Sequence, residues 1–159
     1  AARETPGVAT LERDGFTLRY PAGARVVTES DSVTRLLGPE IAISPAGQPW
    51  TISGAGYDLA VMTFPNPDRL EFGTWVEQRL ASGDAPSPPK IEPATVAGVP
   101  MLRVATFGGD SEFITYYAAR GERVVALQYQ QIPTANQPIA EVQQALYALI
   151  LDSFRWSAR

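Results

Sequence analysis

Over residues 16–20 apolar and polar side chains alternate, with Phe16, Leu18 and Tyr20 on one face and Thr17 and Arg19 on the other. That is the pattern of a half-buried strand. Pro21-Ala22-Gly23 turns the chain and an extended run resumes over residues 24–28, so a hairpin is the simplest connection. Further extended pieces are predicted at 33–37, 41–44 and 51–52, each cut short by glycine or proline. Residues 57–64 are apolar on nearly both faces, as expected of a strand in the middle of a sheet covered on both sides.

Pro65-Asn66-Pro67-Asp68 ends that strand, and Asp68 with Glu71 has the spacing of a capping box. A helix is predicted from there to about residue 82, with Phe72, Trp75, Val76 and Leu80 forming one apolar stripe, Gly83 stopping it and a proline cluster at 85–89 following. The second half reads as an antiparallel meander. Extended segments at 91–96, 101–107, 112–119 and 123–132 are separated by glycine-bearing turns. Pro138 then fits the first turn of a helix running to about residue 152, with Ile139, Val142, Leu146, Leu149 and Ile150 on one face, and 154–156 forms a last extended piece. Two amphipathic helices flanking one antiparallel sheet make an α+β domain over 15–159, with 1–14 as an N-terminal extension or first edge segment.

Composition narrows the chemistry. The 159 residues include no cysteine and no histidine, which removes Cys/His zinc sites, thiol nucleophiles, Ser-His-Asp triads and imidazole acid–base catalysis. The net charge of −4 gives no overall electrostatic case for nucleic acid or an anionic membrane. No stretch approaches the roughly 20 apolar residues that span a bilayer. What remains is carboxylate, arginine, tyrosine and hydroxyl chemistry with a single lysine, Lys90, whose proline and glutamate neighbours predict a solvated loop.

The opening Gly15-Phe16-Thr17-Leu18-Arg19-Tyr20-Pro21 resembles the "G-F-x-hydrophobic-x-Y-P" start of the PsbP-like superfamily, which includes PsbP, the Mog proteins and DcrB. Three further pieces match in order: Thr63-Phe64-Pro65-Asn66-Pro67-Asp68 with the Trp75 helix, Val96-Ala97-Gly98-Val99-Pro100-Met101-Leu102-Arg103 as a "V-x-G-x-P-x-x-R" hairpin, and Leu149-Ile150-Leu151-Asp152-Ser153-Phe154 as an "I-L-x-S-F" ending. The resemblance implies an α/β/α sandwich, a central antiparallel sheet with helices on both faces. It also implies an exported setting, since many bacterial relatives are secreted domains or lipoproteins of unknown function. The metal-binding histidines of plant PsbP have no counterpart here, and no catalytic set carries over.

Among single residues, Arg79 falls inside an apolar stripe, either as a stem lying along the core edge, stacked on Trp75, or as an anion-binding fork. Trp50, in a Gly/Pro-rich loop from 45 to 57 that ends at Tyr57, is the expected exposed aromatic. Tyr116, Tyr117, Tyr129 and Tyr147 with Gln128, Gln130 and Gln131 offer uncharged hydrogen bonds from a sheet surface, unless the rings fill the space between sheet and helix. The candidate ligand- or partner-binding residues are therefore Trp50, Tyr57, Arg79, Tyr129 and Gln130. Asp58, Asp68, Glu71, Asp110 and Glu112 are the acidic candidates for a calcium site, but capping and turn roles account for them, and neither a metal site nor a cofactor is expected. The sequence favours a non-enzymatic, extracytoplasmic domain that binds an unidentified protein or small molecule, anchored, if at all, by a segment upstream. The alternatives are a hydrolase or other enzyme using carboxylates with Tyr or Arg, and a calcium-stabilised accessory module.

Overall fold

The computed structural model describes residues 7–13, 15–44, 46–54, 56–81, 89–108, 111–131 and 137–157. The predicted stop at Gly83, most of the proline cluster and the Gly109-Asp110 turn lie outside them. The described elements are β1 (Val8–Arg13), β2 (Phe16–Pro21), β3 (Arg25–Ser30), β4 (Val33–Leu37), β5 (Ile41–Ile43), β6 (Ile52–Gly54), β7 (Asp58–Pro65), α1 (Phe72–Ala81), β8 (Lys90–Val96), β9 (Val99–Gly108), β10 (Ser111–Arg120), β11 (Arg123–Gln131), α2 (Gln137–Asp152) and β12 (Arg155–Trp156). The fold is α+β, built mostly from antiparallel strands with two helices.

The main sheet has seven strands in the order β3-β4-β7-β11-β10-β9-β8. The expected meander forms its β8–β11 half, and β7 sits between β4 and β11 as its two-sided apolarity requires. Ala97 and Gly98 both have positive φ, 54° and 80°, the geometry of a type I′ turn between β8 and β9. The expected β2–β3 hairpin does not form: β2 pairs with β1 and β12 in a separate three-stranded sheet, whereas β3 pairs with β4. Alternation along a strand fixes its buried face, not its neighbour, so Pro21-Ala22-Gly23 carries the chain between sheets.

Successive residues of β11 enter two different cores, as a pleat demands. Val125, Leu127 and Tyr129 join Leu59, Ile114, Phe16, Phe154, Tyr147 and Ile150 in a cluster that includes α2 and the small sheet. Val124 and Ala126 join Tyr117, Val104 and Val76, packed by Phe72, Trp75 and Leu80 of α1. The two ends of the chain close on each other in the first core. Phe16 stacks on Phe154 at 5.6 Å, and the Arg19 N–H donates to Ser153 Oγ at 2.7 Å. Ser153 and Phe154 thus tie the end of α2 to β2.

The start of α1 departs from the capping-box expectation. Glu71, not Asp68, is the N-cap: its carboxylate accepts from the N–H groups of Gly73 (3.0 Å) and Thr74 (2.9 Å), and its carbonyl accepts from Trp75 N–H. Those bonds to the anion pull the Glu71 carboxyl below the usual range. Asp68 is displaced from the cap because Asn66 claims the preceding turn, exchanging two side-chain bonds with Leu70.

Candidate functional site

The turn between β10 and β11 is Arg120-Gly121-Glu122-Arg123, and the ladder places Arg120 directly opposite Arg123. Like charges facing each other across a strand pair repel. Here both line one cavity of about 530 Å³, with Asp31 and Ser32 from the β3–β4 turn, Thr63 to Pro65 from β7, Arg69 and Trp156. Main-chain bonds hold its walls: Thr63 N–H donates to the Ser32 carbonyl at 2.9 Å and Asn66 N–H to the Glu122 carbonyl at 2.7 Å.

Among the described residues, Arg120 is held by partners that carry no formal charge. Its Nη1 donates to the Ser157 carbonyl at 2.8 Å and its Nη2 to the Gly15 carbonyl at 3.1 Å, while the guanidinium lies 4.8 Å from the centre of the Trp156 ring. Gly15 makes this possible. It has a φ of +94°, and a Cβ there would stand 3.1 Å from Arg120 Nη2 and 3.8 Å from Arg123 Nη1. Its carbonyl also accepts from Ser157 N–H at 2.8 Å, so the first glycine of the chain's opening motif joins β12 to the hairpin arginines. Across the cavity, Arg69 Nε lies 3.4 Å from Glu122 Oε1, with both side chains more than half exposed, an ion pair of little energy that can rearrange.

The five residues singled out from sequence do not assemble here. Trp50 is half exposed, with its indole N–H donating to Gln48 Oε1 at 3.1 Å. Gln130 is exposed on β11, opposite Phe113 of β10. Arg79 places its guanidinium 3.9 Å over the ring of Phe64 and reaches Tyr117. It borders a smaller hollow of about 310 Å³ with Asn66, Asp68, Leu70, Trp75 and Gln78.

Tyr57 and Tyr129 are buried, 2% and 7% exposed, so of the two readings of the sheet tyrosines the one in which the rings fill the space between sheet and helix holds for Tyr129. Tyr129 stacks on Tyr147 at 4.2 Å, and Tyr57 meets Tyr147 edge-on at 6.3 Å. Burial pushes the phenols of both Tyr57 and Tyr129 up to about 12. The Tyr147 hydroxyl accepts from Asp58 N–H at 3.0 Å, locking α2 onto the start of β7. The acidic candidates are dispersed: Asp58 pairs with Arg35, Glu71 caps α1, and among the described residues no three acidic side chains gather to hold a metal ion. Lys90 opens edge strand β8, not a loop, and pairs with Glu92 at 2.9 Å while 72% exposed.

The cavity residues Arg120, Arg123, Arg69 and Trp156 were missed because the turn reads simply as a turn. One signal was present: two arginines flanking a two-residue turn must face each other.

No protein-family profile and no curated protein matches this chain by sequence. By shape it is similar to the solution structure of cyanobacterial PsbP (CyanoP) from Synechocystis sp. PCC 6803, with a TM-score of 0.53 and 11% identity over 98% of this chain and 96% of that one. The chain has a PsbP-like fold. A crystal structure from Bacteroides thetaiotaomicron is also similar, with a TM-score of 0.52 and 8% identity over 91% of this chain. The match covers 46% of that protein, so the PsbP-like chain spans less than half of its length. The resemblance carried by the short motifs therefore holds at the level of fold. Among the described residues no helix is long and apolar enough to cross a membrane.

Proposed function

We propose that this PsbP-like chain is a non-enzymatic, extracytoplasmic binding domain whose ligand sits in the arginine-walled cavity at the β10–β11 turn. The observation that carries the reading is the pair Arg120 and Arg123, opposite each other in the ladder and both lining a hollow of about 530 Å³. Guanidinium forks carried on paired strands, one of them over an indole, are suited to holding a ligand without changing it. The extracytoplasmic setting rests on the likeness to PsbP and on the exported relatives that the resemblance implies. The layering is read as an α/β/α sandwich because alternate β11 side chains enter separate cores with α2 and α1, and residues 15–159 are read as one domain, with 1–14 as an N-terminal extension or first edge segment.

The test is an NMR screen of the folded chain with a fragment mixture of small acids, amides, sugars and neutral aromatics. Shifts concentrated at Thr63, Arg120–Arg123 and the Trp156 indole support the reading. Shifts concentrated on the Trp50 loop, or turnover of ester, amide or glycoside reporters, overturn it.

A further inference from the structure

We infer that β3 is a self-association edge: it takes β3 of a second copy of this chain, antiparallel about a two-fold axis at Val27, so that the main sheet runs on through both copies. The inference is independent of the ligand cavity. Of the main sheet's two edges, β8 is blunted by Pro93, which has no N–H to offer, and by the charges of Lys90 and Glu92. β3 carries neither proline nor lysine. Three successive β-branched residues, Val26, Val27 and Thr28, form its middle, and every residue of the strand except Val27 is exposed. Val26 is 38% exposed, and neither valine is a member of the two core clusters. Among the described residues β3 pairs with β4 on one side and with no strand on the other, which leaves outward-facing N–H and C=O groups on a strand of high β-propensity.

Charge selects the occupant and its register. Arg25, Val27 and Glu29 share the face that carries Arg35: Val27 lies opposite Arg35 in the ladder, and Glu29 pairs with Arg35 at 2.7 Å. An antiparallel copy centred on Val27 puts Arg25 opposite Glu29 of the other copy, twice, with Val27 against Val27 and Val26 against Thr28. Each Glu29 then sits between two arginines. A slip by one residue leaves Arg25 opposite Ser30 or Thr28 and loses both ion pairs, and parallel pairing in register sets like charge against like. The bulge between Thr28 and Ser30 interrupts the ladder at Glu29, so centring on Val27 uses the whole regular length of the strand. So short a pairing makes a small interface, and the dimer it forms is weak and concentration-dependent.

The test is sedimentation velocity of the intact chain from about 10 µM to 1 mM, the range of a small interface, with amide hydrogen exchange measured at both ends of it. The dimer fraction should grow with concentration, and the β3 amides should exchange more slowly when it does. Arg25→Glu and Glu29→Arg each turn the two opposite-charge pairs into like-charge pairs, and each should weaken dimerisation about tenfold. Mixing the two variants restores both pairs and should recover association as a heterodimer. If Glu29→Arg folds poorly beside Arg35, salt takes its place: raising it from about 50 to 500 mM should weaken the unmodified dimer and strengthen that of Arg25→Glu. A chain that stays monomeric at about 1 mM, a dimer indifferent to Arg25→Glu, no recovery on mixing, or protection appearing on β8 or α2 instead of β3 each overturns the inference.

Discussion

Arg35 and Arg120 both lie on the main sheet, and their surroundings are opposite. Arg35 on β4 pairs with Glu29 at 2.7 Å and Asp58 at 2.9 Å, a cation set between two carboxylates, and those contacts raise its already high affinity for its proton. Arg120 is held by the carbonyls of Ser157 and Gly15 and by the Trp156 ring. The first arginine is balanced within the chain and serves the local surface. The second, among the described residues, is oriented by groups that carry no formal charge. Geometry alone would rank the two alike; the charge of the partners separates them.

The largest perturbation removes the platform behind Arg120. Phe154 is fully buried, stacks on Phe16 and meets the Trp156 ring edge-on at 5.1 Å. Phe154→Ala should cost about 3–5 kcal/mol in urea unfolding, and the variant that still folds at low temperature should show a displaced Trp156 indole resonance. An unchanged indole resonance would mean that β12 is positioned by something else.

High pH separates the regions next. Tyr57 and Tyr129 are raised from the ordinary 10 to about 12 by burial, so the native state holds those protons more tightly than the unfolded chain does. Their stabilisation is complete below about 10 and declines as pH rises towards 12. The Arg35–Asp58 side, tied to Tyr147 through the Asp58 backbone, should loosen in that window, seen as faster amide exchange at Asp58. Arginines keep their charge throughout it, so the Arg120 end should change later. Simultaneous loosening would erase the distinction.

These contrasts also mark what the chain disclosed in advance. Strand and helix positions were legible wherever the signal is local, as in the Phe16-Leu18-Tyr20 face, the two-sided apolarity of β7 and the stripe of α2. Partnership was not, because β2 and β3 look equally extended whether they pair or part. The tyrosines were left between a sheet surface and a filling between sheet and helix, since alternation cannot say that α2 lies over them. The arginine cavity needed Gly15, Arg120 and Ser157 to meet, groups more than a hundred residues apart in part, and no spacing rule reaches that far.

Arg35→Gln has the smallest expected effect on stability, within about 1 kcal/mol, because the pair is substantially exposed and solvent screens it. Thermal unfolding at low and high salt checks this, and a larger loss would make Arg35 a structural keystone.

Arg35→Gln and Arg120→Gln together give the most direct test. Titrated side by side with the same fragment mixture and read at the Trp156 indole N–H, Arg35→Gln should bind as the unmodified chain does, and Arg120→Gln should lose at least about tenfold in affinity. Equal losses, or a loss confined to Arg35→Gln, would contradict the placement of the ligand beside Arg120.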